Sequence, residues 1–327
     1  MPMSPPDRWD FWIDRGGTFT DVVARDGEGN IHVRKLLSDD PEHYEDAPLE
    51  GIRRLLGIDE AADPIPSDRI RTIKMGTTVA TNALLERRGA PVCLVVTHGF
   101  GDLLEIAYQD RPDIFALEIR KPAPITSRVI EVDERVLADG TVRKTPDLDR
   151  LRADLEAAYA QGIRSAAVVL LHSYAYPEHE RLVGKLVREV GFTHVSLSHE
   201  VSREIKAVAR GSTAAVDAYL TPILRDYVAR IRKPMAASVD LRFMQSHGGL
   251  AEADRFTGVG AILSGPAGGV VACAHVAGLA GLDKVIGFDM GGTSTDVSRY
   301  DGSYERVFET ITAGVRLQAQ MMHINTV

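Results

Sequence analysis

The chain has 327 residues, 44% hydrophobic and 26% charged, with a formal net charge of −8. That length allows two domains of ordinary size, and the composition is that of a globular protein. The acidic balance excludes sequence-independent nucleic-acid binding, which needs a basic face to displace counterions, and two cysteines are too few for a disulfide-built secreted domain.

The proline-rich start "MPMSPPDRWD" lacks the apolar core of a signal peptide, and no apolar run reaches transmembrane length. A cytoplasmic protein without membrane contact is therefore expected. Alternation from Phe11 to Leu37, broken by "RGGT" and "DGEGN", predicts a three-strand meander over roughly 11–14, 18–25 and 31–37. A helix is expected over Ala47–Leu56, with Ile52, Leu55 and Leu56 on one face, followed by the loop "DPIPS". "IRTIKMGTTVATNALLERRG" reads as a strand, a polar turn and a short helix ending at Gly89, and "APVCLVVTHGF" as a buried strand. The prolines between Gln109 and Thr126 predict an irregular excursion across the surface.

From Asp147, a plausible helix cap, the pattern turns α/β: a helical stripe at Leu148, Leu151, Leu155 and Ala158, the strand "SAAVVLLHSYA", the helix "PEHERLVGKLVREVG" and the strand "HVSLS". That order implies a parallel sheet covered by helices. A second region begins near Ser202 with a mostly helical stretch punctuated by Gly211 and Pro222. The strand "VDLRFMQ", the loop "SHGGL", a helix of very small residues and another strand–turn–strand–turn–strand meander complete the chain.

The two meanders match. Ile13–Val23 reads "IDRGGTFTDVV" and Phe288–Ser298 reads "FDMGGTSTDVS". Each strand ends in Asp (Asp14, Asp289), Gly-Gly-Thr follows after one residue, a second Asp comes next (Asp21, Asp296), and an Asp-Gly turn falls at the same offset (Asp26-Gly27, Asp301-Gly302). Two copies this far apart indicate two related domains rather than a solenoid. Glycines at a hairpin tip let backbone N–H groups close on phosphate oxygens, and threonine adds a neutral donor. A carboxylate beside phosphate requires a hard cation between them, and Mg²⁺, which takes few protein ligands, fits that role. Two facing hairpins would hold one polyphosphate from both sides.

Two such hairpins, with the small-residue helix "GPAGGVVACAHVAGLAG" before the second, resemble the actin, sugar-kinase and heat-shock ATPase superfamily. Within it, "IDRGGTFTDV", "MGTTVATNALLERRG", "LSGPAGGV" and "GFDMGGTSTDVS" resemble the hydantoinase/5-oxoprolinase family, from about Trp12 to the last residue. "KLLSDDPEHYEDAPLEGIRRLLG" and "YQDRPDIFALEI" draw the chain toward the oxoprolinase branch. The resemblance implies an α/β fold of two related ATPase-superfamily (ribonuclease H-like) domains, residues 9–201 and 202–327, with a nucleotide cleft between them and the second incomplete.

It implies ATP-dependent hydrolysis of a small cyclic amide, above all 5-oxo-L-proline to L-glutamate with ATP going to ADP and phosphate. Asp14 and Asp289 would organise Mg²⁺ and the attacking group, and Gly16, Gly17, Thr18, Gly291, Gly292 and Thr293 would hold phosphates. Family members continue well beyond "HINTV", so the expected partners are a missing carboxyl-terminal part or a second subunit, together with homo-oligomers. An ATP-dependent hydantoinase, an acetone-carboxylase-type subunit, a sugar-kinase-like phosphotransferase and a non-catalytic nucleotide-binding fragment are the alternatives.

Among other residues, Thr77, Thr78, Thr81 and Asn82 lie at a turn before a helix, where free N–H groups suit a substrate carboxylate; capping of the helix is an equal reading for Thr77 and Thr78. Cys93 and Cys273 read as buried thiols, Arg87 and Arg88 as a solvated face, and Met321-Met322 as core. His172, His194, His199 and His247 lack zinc-site spacing. Gly265, Gly268 and Gly269 read as permitting close helix packing.

Overall fold

Asp-Gly and Gly-Gly turns between alternating apolar runs produce the opening meander. The computed structural model describes residues 8–58, 64–109, 113–119, 121–292 and 294–326. The meander is β1 (Trp9–Arg15), β2 (Phe19–Arg25) and β3 (Ile31–Leu37). Next come α1 (Ala47–Leu56), β4 (Ile70–Thr77), α2 (Val79–Leu85), β5 (Val92–Thr97) and the single turn α3 (Leu103–Ile106). Parts of the loop after α1 and of the excursion after Gln109 (residues 59–63, 110–112 and 120) lie outside the described residues. Then follow β6 (Arg128–Val132), β7 (Arg135–Val136), β8 (Val142–Lys144), α4 (Leu148–Ala160), β9 (Ser165–Val169), α5 (Glu178–Val190), β10 (His194–Leu197), α6 (Ser198–Val201) and the long α7 (Ala207–Arg232). The remaining elements are β11 (Asp240–Met244), β12 (Leu250–Glu252), α8 (Gly258–Ala261), α9 (Ser264–Leu279), β13 (Val285–Met290), β14 (Thr295–Tyr300), β15 (Arg306–Thr312), β16 (Val315–Met322) and β17 (Ile324–Thr326).

The chain separates into two compact units, one built from the segment up to Asn82, from Leu224–Val307 and from Gln320 onward, the other from Ala83–Ile223 and Phe308–Ala319. Both repeated hairpins belong to the first. Its main sheet runs β12-β11-β4-β1-β2-β3, with β1 antiparallel to β2 and parallel to β4. Asp10 ties these three strands together: its buried carboxylate accepts from Arg71 Nε at 2.8 Å and Arg25 Nη2 at 2.7 Å. Helix α1 starts at Asp46, whose side chain accepts from Leu49 N–H, and stops at Gly57 in the left-handed region (φ 72°). It closes over Val22 and Leu36, so near that a Cβ at Gly51 would lie 2.5 Å from Val22 Cγ2.

The second meander departs from expectation. β14 pairs with β13 on one side, but its other neighbour is β17, not the next strand in sequence. After the Asp301-Gly302 turn only an isolated bridge, Tyr300 to Tyr304, forms; β15 then pairs with β16. Ala313 and Gly314, both with positive φ (52° and 77°), make the two-residue turn that favours this local pairing over the longer-range one.

The other unit carries the four-stranded sheet β10-β9-β5-β6, parallel throughout, as the α/β pattern predicts. Asp147 caps α4, and α5 is flanked by Pro177 at its N-cap and Gly191 at its C-cap. Leu151, Leu155, Val183 and Val187 from these helices pack on Val95, Ala166 and Val168. Cys93 lies in this core, where burial pushes its thiol up to about 12. His199 and His194 are also core residues rather than ligands. His199 Nδ1 lies 2.7 Å from Glu180 Oε1, and His194 Nε2 lies 3.0 Å from Ser196 Oγ, which donates to Asp217. Glu180 also accepts from Ser198 Oγ and Leu170 N–H, and the fully buried Arg210 donates to Ser198 Oγ at 3.0 Å and Leu170 O at 2.9 Å.

Candidate functional site

The two hairpins have one backbone design. Asp14 stands opposite Asp21 and Asp289 opposite Asp296, and each turn closes with the same bond: Gly16 N–H to Phe19 O at 3.0 Å, Gly291 N–H to Ser294 O at 2.9 Å. Glycine is required by close approach, since a Cβ at Gly16 would lie 3.0 Å from Phe19 O. Gly16 and Gly291 thus spend their amides on the turn. The Gly17, Thr18 and Gly292 amides make no such turn bond and could meet an anion. Thr293 lies outside the described residues.

The tips converge. A Cβ at Gly292 would lie 3.1 Å from Thr18 Oγ1, so the second turn seats directly against the first threonine. Asp14 lies in a recess that solvent still reaches. Burial first, and then the negative charges of Asp21 and Asp289, hold its carboxyl above the usual range, with Lys35 opposing. Uncompensated negative charge of this kind is where a cation fits. Among the described residues no group of three or more His, Cys, Asp or Glu side chains is placed to cage a metal. Asp14 and Asp289 are the carboxylates that could hold Mg²⁺, which accepts one or two carboxylates and completes its shell with water and phosphate oxygens.

Helix α9 brings the two aspartates into one frame. Gly265 and Gly269, four residues apart and so on one helix face, each face a strand-end carboxylate. A Cβ at Gly265 would lie 3.6 Å from Asp14 Oδ1, and one at Gly269 would lie 3.9 Å from Asp289 Oδ2. The i, i+4 spacing of these glycines predicts a bare packing face; the structure adds that the groups it approaches are the two carboxylates. Gly76 serves the same purpose on β4, where a Cβ would lie 3.2 Å from Asp14 Oδ1. Beside the second hairpin a cavity of about 340 Å³ is lined by Gly269, Cys273, Asp289, Asp296 and Ser298 among others. Cys273 is thus only half-buried at a cavity wall, where burial was expected.

Thr77 is buried and turned into the fold: its hydroxyl accepts from Val79 N–H at 3.2 Å and its N–H donates to Ser264 Oγ at 3.2 Å. Thr78 donates from its amide to Arg15 O at 3.1 Å, and Asn82 Nδ2 reaches Thr78 Oγ1 at 3.4 Å; both residues stay partly exposed. Ser38, which the sequence did not single out, braces the first turn by donating to Gly16 O at 2.8 Å and from its amide to Thr18 O at 2.9 Å. Lys35 neutralises Asp21 at 2.7 Å, whereas Asp296 accepts from Thr326 Oγ1 at 2.6 Å. The site as a whole offers paired carboxylates, free turn amides and a glycine-faced helix end, a set of groups suited to a polyphosphate with its cation.

Residues 10–191 match the hydantoinase/oxoprolinase N-terminal region, and residues 210–327 match hydantoinase/oxoprolinase. The chain belongs to the hydantoinase/oxoprolinase family. It is 51% identical to 5-oxoprolinase 1 of Arabidopsis thaliana over 97% of its own length and 27% of the relative's. Among solved structures it is similar to the ATP-dependent caprolactamase of Pseudomonas jessenii (TM-score 0.83, 30% identity, 97% of this chain and 48% of that one). It is also similar to nucleotide-free acetone carboxylase, described for ATP-dependent acetone carboxylation (TM-score 0.81, 25% identity, 97% and 47%). The chain therefore spans about a quarter of the plant relative and about half of either solved structure.

Proposed function

We propose that this chain is the amino-terminal, nucleotide-binding part of an ATP-dependent cyclic amide hydrolase whose substrate is 5-oxo-L-proline. The observation that carries the reading is the convergence of two identical Asp-x-Gly-Gly-Thr turns, Gly292 against Thr18, on one α9 face. The choice of lactam is supported by the 51% identity to a 5-oxoprolinase. On this reading residues 9–201 and 202–327 are the two related domains of the ATPase. The second is completed by a carboxyl-terminal part or a second subunit.

The amides of Gly17, Thr18 and Gly292, with Thr293, hold the phosphates. Asp14 and Asp289 would hold Mg²⁺, which would supply positive charge against the transferred phosphoryl group. ATP supplies activation: a lactam is resonance-stabilised with a poor amine leaving group, and phosphorylation of its oxygen makes the carbon open to water. Two waters are consumed overall, one opening the ring and one releasing phosphate, to give L-glutamate, ADP and phosphate. Thr78 spends its amide on Arg15 O, so the turn does not offer it as a free N–H donor; on this reading the partly exposed side chain of Asn82, held against Thr78 Oγ1 and backed by Thr77, meets the substrate carboxylate.

The test measures phosphate release and glutamate formation together, in this chain and in the longer polypeptide that carries the remainder its relatives have. Release stimulated by 5-oxoproline with matching glutamate is expected in the longer protein. Stimulation by hydantoins or caprolactam alone would move the chain to another branch. Nucleotide binding without substrate-stimulated turnover would make it a binding module.

A further inference from the structure

A carboxylate taken from water needs a charged donor to match it, and Asn82 is neutral. Most cations of the first hairpin's sheet are already matched: Arg25 and Arg71 pair with Asp10, and Lys35 with Asp21. Arg15, between Asp14 and Gly16, differs. Among the described residues it forms no ion pair, and its Nε is buried without a hydrogen-bond partner. This is also where the two copies of the motif part, since Asp-x-Gly-Gly-Thr carries Arg15 in the first and Met290 in the second. The turn itself therefore does not require a cation.

Side chains alternate along a strand. Asp14 stands in register with Gly76 and Asp21, and Arg15 with Thr77 and Thr20. Asp14 faces α9 and the phosphate side, so Arg15 leaves β1 by the opposite face. There its guanidinium carbon lies 5.5 Å from the centroid of the buried Tyr227 ring, which holds it by cation–π attraction. Asp46 feels its charge but forms no ion pair with it: burial holds that carboxyl above the usual range, with the Leu49 N–H, Arg15 and Arg230 opposing. The backbone of Arg15 reaches the other polar turn. Its carbonyl accepts from Thr78 N–H at 3.1 Å and Thr78 Oγ1 at 3.3 Å, and Asn82 Nδ2 lies 3.4 Å from that same Oγ1. Arg15 remains partly exposed beside this pair.

We propose, on the basis of the cyclic amide activity proposed above, that Arg15 binds the carboxylate of the substrate and so selects lactams that carry one. The guanidinium fork matches a carboxylate in one plane, and Asn82 adds a neutral donor. An unpaired buried donor costs free energy, and a carboxylate brought to the fork removes that cost. 5-Oxo-L-proline has this carboxylate; pyrrolidinone is the same ring without it. With the carboxylate on the Arg15 side of β1, the amide oxygen is left to turn toward the phosphates on the Asp14 side. Neighbouring residues of one strand end thus orient the two ends of the substrate.

The test follows phosphate release and glutamate formation in the longer polypeptide, with 5-oxoproline and pyrrolidinone as substrates. Arg15→Met gives the first copy the residue of the second. It should raise the KM for 5-oxoproline about 10- to 100-fold, the worth of hydrogen bonds to a charged group, without a matching rise in the KM for Mg·ATP. The preference for 5-oxoproline over pyrrolidinone should shrink by the same factor. Arg15→Lys, which keeps the charge and loses the fork, should fall between, and a thermal melt shows that both variants fold. An unchanged KM for 5-oxoproline in folded Arg15→Met would overturn the proposal and leave the lactam activity standing. Equal losses for Mg·ATP and 5-oxoproline would also overturn it, making Arg15 a support of the phosphate turn. A wild type that forms no glutamate from 5-oxoproline would remove the proposed activity and this inference with it.

Discussion

Asp14 is where function and stability pull apart. Burial and the charges of Asp21 and Asp289 raise its carboxyl, so the folded chain binds that proton more tightly than the unfolded one. Stability from this group is therefore greatest at low pH and falls as pH rises from about 4, the ordinary carboxylate value, through the raised folded value. Asp14→Asn should raise the melting temperature of the ligand-free chain at pH 7, with the gain shrinking toward pH 4. The same substitution should abolish any further rise on adding Mg²⁺ and ATP. A thermal melt with and without Mg·ATP checks both, and an Asn variant that keeps the ligand-dependent rise would remove Asp14 from the metal site. Arg210 is the opposite case, a buried cation whose work is structural. Burial lowers its affinity for the proton while Glu180 opposes that, and it donates to Ser198 Oγ and Leu170 O. Arg210→Ala leaves Glu180 short of a counter-charge in the core and should cost about 3–5 kcal/mol, read from urea unfolding.

At the scale of elements, α9 matters for what its N-terminal face lacks. Gly265 and Gly269 let the helix lie against both strand-end carboxylates, and the helix start, without a side-chain cap, leaves positive partial charge there. Gly265→Val should place γ-methyl groups against Asp14 and Thr78, costing roughly 1–3 kcal/mol through overpacking and removing the Mg·ATP-dependent rise in melting temperature. Gly278→Ala, with nothing within 4 Å of its Cβ position, is the control that should keep that rise. Preserved nucleotide binding in Gly265→Val would show that the helix face lies outside the phosphate site.

For the whole molecule, what the sequence made legible were the local devices. Asp46 and Gly57 bound α1 at the expected residues, Asp147 caps α4, and the strand–helix–strand order after it becomes an all-parallel sheet. These features depend on neighbours within a few residues. The doubled Gly-Gly-Thr phrase was legible for the same reason, and its matched turn bonds follow from matched sequence. Pairing over distance was not legible. Nothing near Asp301 announces that β17 will displace β15 beside β14, because the choice depends on a hairpin turn at Ala313-Gly314. The convergence of α9 on both aspartates was hidden likewise: glycine spacing shows that a face is bare but not what it touches. Ser38 escaped notice because one serine after a strand carries no pattern.

The unequal counter-charges of the two hairpins carry a consequence for how a duplicated element specialises. Asp21 has its own cation in Lys35, while Asp296 has a neutral hydroxyl from Thr326. The first copy is electrically self-contained apart from Asp14. The second has no basic side chain paired with either of its acids among the described residues. On the proposed reading, a cation loaded beside Asp289 would also supply the counter-charge that the second hairpin lacks among the described residues, so that metal binding and the electrostatics of that hairpin would be linked.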